Sequence, residues 1–237
     1  MKYIYAIIIP LHNEEECIGQ TLEELIPRLP QGAVVSAGLN GCSDNTATIC
    51  REHGVLVGET EATGYGKGCY AAIEALKASQ IQPDAYLFYA GDGANQPDDL
   101  LRLIDIYEEE GSPFVMGLRD FELGNWCSEF GRALPNLLLG TLCRVLGGQF
   151  FHDLGPLRLI SKDLFEQMDL RELEWGWTIE AQLRAAHMDV AIRSTPVEER
   201  PRISGTQKIS GVSPFRSLKV GMAIGAAAIR TVLRKRG

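Results

Sequence analysis

Short apolar runs alternate with amphipathic stretches along the first half of the chain. Tyr3–Ile9, Ala33–Ala37, Val55–Val57, Ala85–Tyr89 and Phe114–Met116 are brief and mostly apolar, as strands buried on both faces are. Between them, Glu14–Arg28, Asn45–Glu52, Gly68–Ala78 and Asp98–Glu110 carry their apolar residues at helical spacing. This βαβα order predicts a mostly parallel, doubly wound, Rossmann-like α/β sheet flanked by helices.

The pattern changes after Gly117. Leu134, Leu137, Leu138, Leu142 and Val145 recur at helical spacing within Asn125–Leu146, and an apolar strand, Leu154–Ile160, follows. A helix over Thr178–Ala186, a strand over Val190–Ser194, a Gly/Ser/Arg-rich loop from Pro201 to Pro214 and a basic terminal helix complete the prediction. No repeat and no convincing linker divides the chain. The expected organisation is one domain over residues 1–213 and a basic amphipathic helix over 214–237.

Length and composition agree with that reading. A chain of 237 residues, 45% hydrophobic, suffices for one large α/β domain. Its six scattered cysteines form no CxxC pair, which favours reduced thiols and a cytoplasmic setting. Pro10 and the acidic Glu14–Glu16 make the N-terminal apolar run a first strand rather than a signal-peptide core. The run Val220–Ile229 is about half the length needed to span a bilayer.

The formal net charge of −8 conceals an asymmetry. From Arg200 to Gly237 there are nine Lys or Arg residues and no acid, so the other 14 basic and all 31 acidic residues leave −17 on residues 1–199. The basic tail is expected to meet an anionic surface or substrate, with a solvated basic helix as the alternative. Nothing in the pattern points to nucleic acid.

Candidate chemistry gathers where predicted strands end. Open α/β sheets bind ligands at the carboxyl ends of their strands, and the fourth run stops at Ala90-Gly91-Asp92-Gly93. Asp92 suits a hard cation such as Mg²⁺ or Mn²⁺, and the flanking glycines are expected to let a ligand approach the backbone. The first strand ends in Pro10-Leu11-His12-Asn13-Glu14-Glu15-Glu16, and the second in Asn40-Gly41-Cys42-Ser43-Asp44. A helix dipole and an N-cap account for those acids and for Ser43 or Asp44 equally well.

Gly64-Tyr65-Gly66-Lys67-Gly68 opens a helix, so its free N–H groups and Lys67 are expected to meet phosphate or ribose oxygens; a plain glycine turn is the competing reading. Arg119 and Arg132 flank a loop, and His152-Asp153-Leu154-Gly155-Pro156 precedes a strand. The tryptophans of Trp175-Gly176-Trp177-Thr178-Ile179-Glu180 are read as packing anchors.

Taken in order, these pieces resemble the family 2 glycosyltransferases. The set comprises Pro10-x-x-Asn13-Glu14-Glu15, Asn40-Gly41-x-Ser43-Asp44-x-Thr46, Gly64-Tyr65-Gly66, Asp92 with Pro97, Gly117-x-Arg119, Asp153-Leu154-Gly155-Pro156-x-Arg158, Gly176-Trp177-Thr178-x-Glu180, and Pro196-Val197 followed by Arg202-x-x-Gly205-x-x-Lys208-Ile209-Ser210-Gly211. The last three segments are most similar to the polyprenyl- (dolichyl-) phosphate glucosyl- and mannosyltransferase-like branch.

The resemblance implies a GT-A fold and an inverting hexosyltransferase. It implies a UDP- or GDP-sugar donor, Mg²⁺ or Mn²⁺ at Asp92, and a lipid-phosphate acceptor at the inner face of a membrane. By position, Asp153, Arg119 and Arg132 would be catalytic. Pro10, His12, Glu14, Asn40, Lys67, Asp92, Arg202 and Lys208 would bind the donor.

Three positions depart from the family pattern: Leu39 replaces an aspartate, Ala90 replaces the first aspartate of Asp-x-Asp, and Ala94 replaces a polar ligand. Losing two hydrogen bonds to charged groups would weaken donor binding by roughly two to four powers of ten. A degenerate relative that binds a partner or membrane is therefore the alternative reading, and a nucleotidyltransferase on a similar fold is another.

Overall fold

The computed structural model describes residues 3–119, 140–141, 144–145, 153–155, 157–205 and 214–235. His152, Arg132, Lys208 and most of Asn125–Leu146 lie outside them. Among the described residues seven strands form one sheet: β1 (Tyr5–Leu11), β2 (Val34–Asn40), β3 (Leu56–Thr60), β4 (Ala85–Phe88), β5 (Phe114–Arg119), β6 (Arg158–Ser161) and β7 (Ile192–Val197). Their order is β3-β2-β1-β4-β6-β5-β7. All neighbouring pairs are parallel except the two made by β6, which runs antiparallel between β4 and β5.

The helices are α1 (Ile18–Leu25), α2 (Thr46–Glu52), α3 (Tyr65–Ala78), α4 (Pro97–Glu110), α5 (Lys162–Met168), α6 (Trp177–His187) and α7 (Pro214–Lys235). They cover the sheet so that each face carries its own apolar cluster. Ala6, Ile8, Tyr86 and Phe88 point to the side of α3, α5 and α6, whereas Tyr5, Ile7, Ile9 and Leu87 point to the side of α1 and α4. This two-residue alternation with both faces dry explains why the strands read as continuous apolar runs.

Local chemistry moves several boundaries. The first helix starts at Ile18, not Glu14, because Asn13 adopts φ 53° and Glu14–Cys17 form a turn. Strand β2 continues to Asn40 and β3 to Thr60 because α3 lies directly on them. A Cβ on Gly38 would stand 1.7 Å from the Gly68 oxygen, and one on Gly58 would stand 1.9 Å from the Ala71 oxygen. Absent side chains let the helix backbone touch the sheet, bringing the Gly64–Lys67 turn against the end of β2.

Trp177 is fully buried against Phe88, as the packing role assigned to it requires. The buried guanidinium of Arg158 donates to the carbonyls of Leu154, Gly155 and Thr178 and thereby shapes the loop before β6. Helix α7 packs on α6 through Ala227, Ala228 and Thr231, and the missing side chain of Gly176 leaves room for Ala227. Arg230 makes two 2.8 Å bonds to Glu172, and Arg234 lies 3.3 Å from buried Glu180.

The Arg230 hydrogen bond holds the Glu172 carboxyl below its ordinary value of 4.5. A depressed carboxylate contributes stability above its unfolded pKa and loses it as pH falls through the lower folded value. Protection of α7 amides in hydrogen exchange, corrected for intrinsic rate, should therefore hold at neutral pH and collapse on acidification below about pH 4. Glu172→Gln should remove that protection even at pH 7.

Candidate functional site

The ends of β1 and β2 are knitted together by their own polar residues. Asn40 donates from Nδ2 to Leu11 O (2.8 Å), accepts from Gly64 N at Oδ1 (3.2 Å), and receives the His12 Nδ1 proton at its carbonyl (2.7 Å). Asn13 Oδ1 accepts from Ser43 N (2.7 Å), and Glu15 Oε2 accepts from both nitrogens of Asn45 at 2.9 Å. Asn13 and Glu15 thus tie two loops together; the acids precede the helix, whose first turn holds none, which corrects the helix-dipole reading.

The Gly64–Lys67 turn differs from its expected role. Its Lys67 amide donates to Leu173 O (3.0 Å), and the ammonium is held by Glu174 (2.7 Å) and Thr63 O (3.0 Å). A Cβ on Gly66 would strike Leu173 and Trp177. These glycines admit the 172–177 segment rather than an open phosphate cradle. The expectation of free N–H groups is corrected at Lys67, although the turn does sit beside Asn40.

Asp92 emerges where β4 ends. Buried Asn95 receives the Ala90 amide at Oδ1 (3.0 Å), and its carbonyl accepts the Tyr89 hydroxyl (2.6 Å), fixing the loop's exit. Asp92 Oδ1 accepts from Ala94 N (3.1 Å). The flanking glycines make way for protein rather than ligand: a Cβ on Gly91 would meet Leu11, and one on Gly93, whose φ is 75°, would meet Ile203.

The residues after β7 then lace this end of the sheet. Glu199 reaches Arg119 at 3.3 Å, Arg200 donates to Gly93 O at 2.5 Å and pairs with Glu24, and Ile203 N donates to Asp92 O at 3.2 Å. Arg202 spans two carboxylates. Its NH1 lies 3.2 Å from Asp92 Oδ2 and 3.5 Å from Glu14 Oε1, while NH2 bonds Glu14 Oε2. Burial works against its charge, but the Glu14 hydrogen bond and the two negative charges outweigh that and raise its pKa.

A second charge pair stands at the end of β5. Arg119 donates from Nε and NH2 to the two oxygens of Asp153 at 2.8 and 2.6 Å. The Asp153 carboxylate is buried and also receives Leu154 N at 2.8 Å. Desolvation opposes the Arg119 charge, and the Asp153 bonds more than restore it, so the guanidinium stays fully ionised. Both Asp153 oxygens are thus hydrogen-bonded, and the carboxylate fixes the orientation of the Arg119 guanidinium.

Asp92 and Glu14 present two carboxylates facing one cation. Among the described residues no group of three His, Cys, Asp or Glu is assembled for a metal. A hard divalent ion fits this donor set as far as two carboxylates go, and substrate oxygens would complete its shell. A cleft lined by Leu39, Cys42, Ser43, Asp44, Glu59 and Glu61 opens beside these strand ends.

The profile of Glycosyl transferase family 2 matches residues 6–169, the span from β1 through α5. The chain belongs to glycosyltransferase family 2. It is 25% identical to an uncharacterized glycosyltransferase of Mycobacterium tuberculosis over 87% of this chain and 89% of that one. It is 26% identical to the Haloferax volcanii hexosyltransferase Agl6 of low-salt glycan biosynthesis, over 83% of this chain and 48% of that protein. Its fold superposes on glucosyl-3-phosphoglycerate synthase of M. tuberculosis, solved with Mn²⁺, UDP and glucosyl-3-phosphoglycerate. The TM-score is 0.70 at 16% identity, over 97% of this chain and 80% of that one. The architecture is therefore the GT-A fold.

For this family 2 glycosyltransferase, the structure brings together Pro10, His12, Glu14, Asn40, Asp92 and Arg202, and it places Arg119 with Asp153. Sequence reasoning missed Glu172, Glu174 and Glu199, which hold Arg230, Lys67 and Arg119. Each pairs with a residue more than fifty positions away, so no local spacing marks it. Asp153→Asn should cost about 3 kcal/mol by leaving Arg119 half-paired in a partly buried site. Urea unfolding measures this, and a loss below about 1 kcal/mol would mean the pair is not what fixes Arg119.

Proposed function

We propose that this protein transfers a hexosyl group from a nucleoside-diphosphate sugar, UDP- or GDP-linked, to an anionic acceptor of the polyprenyl-phosphate class, with inversion at the anomeric carbon. The observation that carries the reading is the convergence of Glu14, Asp92 and Arg202 at the open end of a parallel sheet. Family membership gives the reaction class, and the ordered motifs point to the acceptor class.

In the proposed reaction an acceptor phosphate oxygen forms the new bond to the anomeric carbon. The bond to the nucleoside diphosphate breaks, and that group leaves with the electron pair. An ionised phosphate needs no proton removed, which agrees with an Asp153 already saturated by Arg119. Arg202, released from its carboxylates, and Arg119 would meet phosphate oxygens, with Arg132 and Lys208 assigned the same task by motif. Mg²⁺ or Mn²⁺, held by Asp92 with Glu14 beside it, would stabilise charge on the departing diphosphate.

UDP or GDP with Mn²⁺ should raise the melting temperature of the wild type, and Asp92→Asn should abolish the shift. Stabilisation that is identical with and without metal, or unchanged by Asp92→Asn, would contradict the reading.

A second reading, a family member that binds without transferring sugar, is favoured by one observation. Arg202 closes the two remaining carboxylates onto each other, while Ala90 and Ala94 offer no ligand. Ala90→Asp separates the two. A gain of more than about a hundredfold in donor turnover supports the decayed site, whereas active wild type with no gain supports transfer through Asp92 and Glu14.

A further inference from the structure

Helix α7 has two unlike sides. Ala227, Ala228 and Thr231 are fully buried against the body. On the opposite side, Met222, Ile229 and Leu233 are 61%, 50% and 61% exposed, with exposed Ala226 between them. Their 4-3-4 spacing makes one continuous stripe, and in sequence Phe215 and Leu218 extend the same spacing toward the start of the helix. Isolated exposed apolar residues are ordinary, whereas a stripe of large ones along a helix calls for an occupant.

Charge identifies the occupant. The helix contains no acidic residue, and Arg216, Lys219, Arg230, Arg234, Lys235 and Arg236 lie in or just after it. Arg230 and Arg234 are directed at Glu172 and Glu180, so they fasten the helix to the body. The remaining four leave the helix positive on a body of strongly negative charge. Two such helices laid stripe to stripe would repel, whereas an anionic bilayer surface complements both the stripe and the charge. Among the described residues no helix is long and apolar enough to cross a membrane.

We propose that α7 is an interfacial membrane helix that lays Met222, Ala226, Ile229 and Leu233 into the headgroup boundary of an anionic bilayer. The helix is connected through the body to the candidate site. Glu172 anchors Arg230, and the next residues, Leu173 and Glu174, bind Lys67. A membrane held at α7 thus lies one segment away from the Gly64–Lys67 turn.

Co-sedimentation of the full chain with vesicles tests this directly. Wild type should pellet with phosphatidylcholine–phosphatidylglycerol vesicles, and far less with phosphatidylcholine alone. The triple variant Met222→Ser, Ile229→Ser, Leu233→Ser should bind anionic vesicles at least about tenfold more weakly. Its melting temperature should be unchanged, because the three side chains are exposed. Equal pelleting of variant and wild type, or no pelleting of wild type, would overturn the proposal. So would sedimentation velocity showing a lipid-indifferent dimer that the triple variant converts to monomer, since the stripe would then belong to a second copy.

Discussion

Two half-buried carboxylates converge at the open end of the sheet, and Arg202 is the cation that holds them there. Its guanidinium links Asp92, delivered by β4, to Glu14, delivered by the turn after β1. Two strand ends that carry like charge are thereby held together, and the chain after β7 is drawn across them. Remove this cation and Asp92 faces Glu14 unscreened, while Arg200 and Ile203 keep their own bonds to the Asp92–Ala94 loop.

The same pairing sets the chemistry. Lys67 is matched by Glu174, Arg119 by Asp153 and Glu199, and Arg202 by Glu14 and Asp92. Under the proposed function, a diphosphate would find these cations of the described residues already paired. It must exchange partners with carboxylates already in place, and a divalent ion on Asp92 and Glu14 would make the exchange favourable by replacing the guanidinium between them. In the proposed reaction, donor binding, release of Arg202 and arrival of a cation would then be linked steps of one equilibrium.

Much of the sheet was legible because strands covered on both sides leave continuous apolar runs, and because each run stops at polar residues that the fold brings together. Asp92 was legible for that reason. The direction of β6 was not, since a buried run such as Arg158–Ser161 carries no mark of whether its neighbours run with it or against it. The glycines around Asp92 were read as room for a ligand, and the structure gives that room to protein side chains. What fills the room, Leu11 and Ile203, depends on tertiary contacts. Lys67 and the basic tail were read as available charge, and the structure spends Lys67, Arg230 and Arg234 on acids that no local pattern pairs with them.

Mass spectrometry of a reaction containing the full chain, Mn²⁺, a UDP- or GDP-hexose and a polyprenyl phosphate tests the central claim most directly. The account predicts a hexosyl polyprenyl phosphate of inverted anomeric configuration, formed in step with free nucleoside diphosphate and lost in Asp92→Asn. Absence of sugar transfer from every hexose donor, with nucleotide and metal both shown to bind, would contradict it.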